Sequence, residues 1–223
     1  MTHLPAPFRN ICLALGLIAL AGCGSSPTPR FYTLHAAVKA PTVTTAVTTA
    51  ATPAVTPAVT PAAAAPSQSG HAGPVVVGVG PVEIPDYLDR PQLVTHSEQN
   101  RMRVLEFDLW AGSLKADIGR VLMEDLAALL PPDRFSIVSW RQGAQMDYRV
   151  ALHVHRFDVG PGGVLLSAQW MLFTKERRTA DRVQGCRLTE ASSSEPGEAA
   201  AAMSRALGRL SETIAQKIEG AAR

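Results

Sequence analysis

Several things that would decide the character of this 223-residue chain are scarce or missing. Cysteine occurs only at Cys12, Cys23 and Cys186, too few and too far apart for a disulfide framework. Residues 40–82 contain no Asp, Glu, Lys or Arg. The N-terminal apolar run covers residues 11–21, closed by Pro5 and Pro7 before it and by Gly24, Ser25 and Ser26 after it. A bilayer needs about 20 apolar residues, so this run is too short to span one. Formal charge is nearly balanced at +2, and no basic stripe with interleaved aromatics is present, which argues against a nucleic-acid partner. Catalytic signatures are missing as well: there is no G-x-S-x-G elbow, S-x-x-K, H-E-x-x-H, phosphate loop or paired C-x-x-C. GVGPVE, residues 78–83, opens like a dinucleotide fingerprint but lacks its third glycine and a following helix.

The N-terminus has a positive layout. Arg9, the apolar run and the small residues behind it form a secretory signal peptide, residues 1–22. Leu20, Ala21, Gly22 and Cys23 match the bacterial lipobox: small residues let the peptidase approach, and the thiol accepts diacylglycerol before cleavage. Cys23, N-acylated and S-diacylglycerol-modified, then becomes the first mature residue and the lipid attachment site. Several acyl chains at about 0.8 kcal/mol per buried methylene make a stable anchor, where one chain is marginal. Position +2 is Gly24 rather than Asp, which under the enterobacterial sorting rule directs the protein to the periplasmic face of the outer membrane. Cys186 is left without an intramolecular partner; in GCRLTEA it alternates with Arg187 as on a half-buried strand, which fits a buried, inert thiol.

Residues 23–35 carry the lipidated terminus and the β-prone segment FYTL, residues 31–34. Residues 36–73 form an Ala/Pro/Thr-rich linker, TVTTAVTTAATPAVTPAVTPAAAAP at its centre, which buries too little to offset chain entropy and is expected to be disordered. If FYTL docks into a sheet, the tether from Cys23 is about seven residues, roughly 25 Å extended. If it does not, about 50 flexible residues reach roughly 40 Å. An aromatic pair has little use in a solvated tether, so docking is the expectation.

Residues 74–223 suffice for one ordinary domain. Residues 75–84 read as a β-branched strand that Pro81 bends or ends, followed by the turn PDYLDRP. Two short strands around a polar turn at 97–100 come next. SLKADIGRVLMEDLAALLPPD is a helix with Leu114, Ile118, Val121, Leu122, Leu126 and Leu129 on one stripe, Ser113 as N-cap and Pro131 and Pro132 as its stop. Strands follow at 135–140, 148–158, 164–175 and 182–192, and a second amphipathic helix starts near Pro196 with Met203, Leu207, Leu210, Ile214 and Ile218 on its stripe. The pattern predicts an α+β two-layer sandwich, a largely antiparallel sheet with both helices on one face.

Candidate sites are few. His153 and His155 share a strand face but lack a third ligand, so no metal site and no cofactor is expected. Lys175, Arg177, Arg178 and Arg182 cluster at a turn, interleaved with Glu176 and Asp181. Trp110, Trp140 and Trp170 read as core or core-edge. Tyr87, Leu88, Asp89 and Arg90 stand in a proline-flanked turn suited either to a rigid partner contact or to folding its aromatic back on the core.

A lipobox followed by FYTL, then VGVGPVEIPDYLDRPQLVT at 77–95, then EFDLWAGSLKADIGRVLMEDLAALL at 106–130, resembles the PqiC/YmbA-type auxiliary lipoproteins of ABC transport systems. The resemblance implies a non-enzymatic outer-membrane lipoprotein that docks the periplasmic end of an MCE-domain protein, in a system moving phospholipid or another hydrophobic molecule between membranes. It also implies a homo-oligomeric ring. The long insert after FYTL departs from the compact spacing of that pattern.

Overall fold

A computed structural model describes residues 27–38, 73–97, 101–141, 145–175 and 183–223. Cys23, most of the linker, the tip of the 97–100 turn, and Arg177, Arg178 and Arg182 lie outside the described residues. The elements in chain order are β1 (Arg30–Tyr32), β2 (Val75–Glu83), β3 (Gln92–His96), β4 (Met102–Trp110), α1 (Leu114–Leu129), β5 (Phe135–Ser139), β6 (Tyr148–Gly160), β7 (Gly163–Thr174), β8 (Val183–Glu190) and α2 (Pro196–Ala221).

The sheet is organised by β6. One edge of that strand pairs antiparallel with β7 from Tyr148↔Thr174 to Gly160↔Gly163, and β7 pairs antiparallel with β8. The other edge is shared: β2 runs parallel along the first half, from Val77↔Tyr148 to Glu83↔His153, and β3 joins parallel near the end at Thr95↔Val159. β5 adds parallel to β2, β4 antiparallel to β3, and β1 parallel to β4. The expected two-layer α+β sandwich is the fold, and its sheet is mixed rather than largely antiparallel. Alternation of apolar residues assigns faces but not directions. Here the connection at 84–91 steps the chain sideways along β6 instead of reversing it.

Both helices follow from their sequences. Ser113 caps α1, its hydroxyl accepting from Ala116 N–H at 3.4 Å, and Leu114, Ile118, Val121, Leu122 and Leu126 are buried. Pro196 opens α2 behind Glu195, whose carboxylate accepts from Glu198 N–H at 2.8 Å; Met203, Leu207, Leu210, Ile214 and Ile218 are all buried. These stripes cover Val150, Leu152, Val154, Val164, Leu166, Ala168 and Trp170 on one sheet face, each large side chain contributing about 1.5–3 kcal/mol. A register shift between Val154 and Arg156 changes the parity of β6 and keeps Phe157 and Val159 buried. Pro81 likewise falls at a register shift in β2, between Val79 and Val82.

FYTL joins the sheet. Phe31 pairs with Leu109 and Tyr32 with Trp110, and Leu34 is fully buried. The folded body therefore begins at Arg30 rather than near residue 74. Val38, at the start of the linker, and Val75, after it, belong to one body.

Candidate functional site

Residues 33–38 form an extended strap over the helix layer, tied by side chains that look unremarkable in sequence. Asp117 on α1 takes the Thr33 hydroxyl at 2.9 Å and the Leu34 N–H at 3.0 Å on Oδ2. Arg120 donates to the Leu34 carbonyl at 2.6 Å and to Asp117 Oδ1 at 2.8 Å. His35 N–H reaches the Ser204 hydroxyl at 3.1 Å, and Val38 N–H reaches Asp125 Oδ1 at 3.1 Å. The buried Ser211 hydroxyl donates to Asp125 Oδ2 at 3.0 Å, so one carboxylate joins the strap to both helices. A Cβ on Gly208 would stand 2.8 Å from the Ala37 Cβ; the glycine is where the strap comes closest to α2.

The two carboxyls respond to their settings in opposite directions. Burial alone would raise the Asp117 pKa, but the Leu34 N–H, the Arg120 guanidinium and the Thr33 hydroxyl outweigh it and hold the group below its ordinary value. Asp125 is buried more deeply, and desolvation pushes its pKa up against the donors from Val38 and Ser211.

The 85–91 turn lies beside the end of β6. Leu88 is buried and Tyr87 is half-buried against the core, so these two residues hold the turn down. Tyr87 Oη donates to Asp158 Oδ2 at 3.4 Å, and burial followed by the Asp158 charge pushes the phenol up to about 12. The Asp158 side chain is fully buried and also meets His96 Nδ1 and Arg156 Nε, each at 2.8 Å. Asp89 and Arg90 are exposed. An open groove of about 840 Å³ runs nearby, walled by Thr95, Arg103 and Leu105 of the β3–β4 hairpin and by Ser192, Ser193 and Ser194 before α2.

The remaining candidates fall apart from one another. His153 and His155 are exposed on the uncovered sheet face with ring centroids 4.6 Å apart, and among the described residues no group of three His, Cys, Asp or Glu is placed to hold a metal. Cys186 is half-buried on β8, and burial raises its thiol pKa, the reverse of what a nucleophile needs. Trp110 and Trp170 are buried and Trp140 is partly so. No helix among the described residues is long and apolar enough to cross a membrane. Sequence reading missed Asp117, Asp125, Ser204, Ser211 and Asp158. The one available signal was Gly208, a glycine inside a strongly periodic helix, which marks close approach.

Two crystal structures share this fold. An uncharacterized protein aligns with a TM-score of 0.56 at 21% identity, covering 65% of this chain and 92% of its own. Protein XCC0632 from Xanthomonas campestris aligns with a TM-score of 0.52 at 16% identity, covering 64% and 84%. A comparison with curated proteins finds no match. The family model for the ABC-type transport auxiliary lipoprotein component matches residues 56–215, and the chain belongs to that PqiC/YmbA-like family.

Proposed function

We propose that this protein is a non-enzymatic lipoprotein, anchored through Cys23 to the periplasmic face of the outer membrane. There it docks the periplasmic MCE-domain protein of an ABC-type system that carries phospholipid or another hydrophobic compound. The observation that carries the reading is the family match over residues 56–215, supported by the lipobox at Cys23 and by Gly24 behind it. The strap adds a physical reason: the chain that follows Cys23 is bonded into both helices at Leu34 and His35, so an anchor there holds the whole domain rather than a loose terminus. The exposed Asp89 and Arg90 are the part of the 85–91 turn available to the partner, with Tyr87 and Leu88 fixing their position. A homo-oligomeric ring would place a passage at the docking point.

The test is cross-linking of the acylated protein in its native membranes, mild-detergent capture and mass spectrometry of what is bound. The expected result is an MCE-domain protein. Recovery of only outer-membrane assembly factors or peptidoglycan fragments, with the bait intact and abundant, overturns the docking role.

A further inference from the structure

Five large apolar side chains are substantially exposed among the described residues, and four of them belong to β1 and β4: Phe31 at 65%, Met102 at 41%, Val104 at 37% and Phe107 at 40%. The register puts these four on one face. Leu93 is 1% exposed and pairs with Leu105, so that pair points to the helices, and the neighbouring pairs Val94↔Val104 and His96↔Met102 point away. The pairing then jumps, leaving Gln92 opposite Leu109. Gln92, one residue from Leu93, faces away with its partner, and so does Phe31, which pairs with Leu109 from the β1 side. Phe107, two residues before Leu109, completes the patch.

The register turns the basic side chains the other way: Arg103 pairs with Thr95, on the side of Leu93 and Leu105, and Arg30 pairs with the buried Asp108. Arg30 is held to Asp108 at 2.8 Å, and the exposed patch itself is made of two phenylalanines and two aliphatic side chains. Aromatic and aliphatic groups gathered on one exposed face suit the boundary between headgroups and acyl chains, where such a face is buried. The chain outside the structure points to the same surface. Cys23 is seven residues from Arg30, roughly 25 Å at full extension, whereas a domain of about 150 residues has a radius of gyration of ~15 Å and is roughly 40 Å across. The tether is shorter than the domain it holds, and it enters at β1.

We infer that the outward face of the β1–β4 edge, centred on Phe31 and Phe107, rests in the headgroup–acyl boundary of the membrane that holds the Cys23 lipid. The inference depends on the reading of Cys23 as the lipid attachment site. It makes the anchor a two-part device: the acyl chains hold the protein, and the sheet edge sets its orientation.

The experiment uses the full acylated protein reconstituted into phosphatidylethanolamine/phosphatidylglycerol vesicles. A polarity-sensitive fluorophore is attached singly to Phe31→Cys, Phe107→Cys or, as a control on the opposite end of the sheet, Val183→Cys, each in a Cys186→Ala background with native circular dichroism. The expected result is quenching by nitroxides on the lipid chains at least threefold stronger at positions 31 and 107 than at 183, with matching protection from aqueous iodide. Equal iodide quenching at all three positions, in protein that still floats with the vesicles, overturns the inference and leaves the Cys23 reading standing. Protection from iodide without lipid quenching identifies a protein occupant, such as a second copy, and also overturns it. Protein that does not float with the vesicles overturns the Cys23 reading and the inference together.

Discussion

Asp117 carries more of the strap than any other single side chain, because it accepts from both Thr33 and Leu34 while Arg120 bridges it to the Leu34 carbonyl. Its folded pKa is depressed below 3.8. The stability it contributes is therefore present above that value and lost as pH falls through the lower folded one. Asp125 has the opposite sign: its pKa is raised from 3.8, so it stabilises least when ionised, and the fold gains as pH falls through the raised value. Hydrogen exchange at Leu34, compared with a core amide such as Val150, should therefore accelerate only once pH drops below about 3.8. In Asp117→Asn the acid dependence should disappear and strap protection should fall by about 1–2 kcal/mol at neutral pH, the cost of a weakened charged hydrogen-bond set. Strap exchange in the variant that still follows pH as in the wild type would contradict this assignment. Asp158 makes the same kind of argument at the 85–91 turn. Asp158→Asn leaves Arg156 and His96 facing a neutral amide, and denaturant titration should show a loss of about 1–3 kcal/mol; no measurable loss would mean the cluster is held by packing alone.

The elements of this protein differ in how plainly the sequence announces them. The α1 and α2 stripes are long, periodic and capped, and they occur where the spacing predicts because burying each stripe satisfies one local rule. Strand faces are equally legible: Cys186 and Leu188 turn inward on β8 while Arg187 and Thr189 are exposed. Strand direction is not legible, since a run such as QLVTH alternates identically whether its neighbour is parallel or antiparallel. The three-residue β1 has too few residues to specify a partner; its pairing comes from Leu34 and from carboxylates 80 or more residues away. Nothing distinguishes Asp117 or Asp125 from ordinary solvated helix acids until the strap is laid over them. Gly208→Ala tests this contact. Alanine favours the helix by about 1 kcal/mol, but its Cβ would be only 2.8 Å from Ala37, and overpacking costs about 1–3 kcal/mol. The expected outcome is faster exchange at Val38 with little change in Tm; an unaffected strap would show that it yields without cost.

On the scale of the whole molecule, the Ala/Pro/Thr segment changes meaning. Its composition reads as a tether between anchor and domain, yet Val38 at its start is bound through its N–H to Asp125, and Val75 after it opens β2 and pairs with Phe135. The residues on either side of it belong to one body, and the length of chain that joins two such points is energetically cheap: halving it changes the closure cost by only about 0.6 kcal/mol. Deleting about half of residues 40–70 should shift Tm by a few degrees at most and leave membrane attachment unchanged, as thermal unfolding and vesicle flotation would register. A deletion that released the domain from the membrane would show that the segment does act as the tether. On the proposal that Cys23 carries the lipid, residues 23–30 rather than this segment would set the distance between anchor and domain.

The central claim is that this anchored body docks a transport partner. Its most direct test is the amount of MCE-domain protein that co-purifies with the outer-membrane fraction in cells carrying the wild-type chain or Cys23→Ala. The account predicts recovery with the wild type and at least a tenfold loss with Cys23→Ala, although that variant's domain remains folded. Equal recovery from both, or no MCE-domain protein with the wild type, would contradict it.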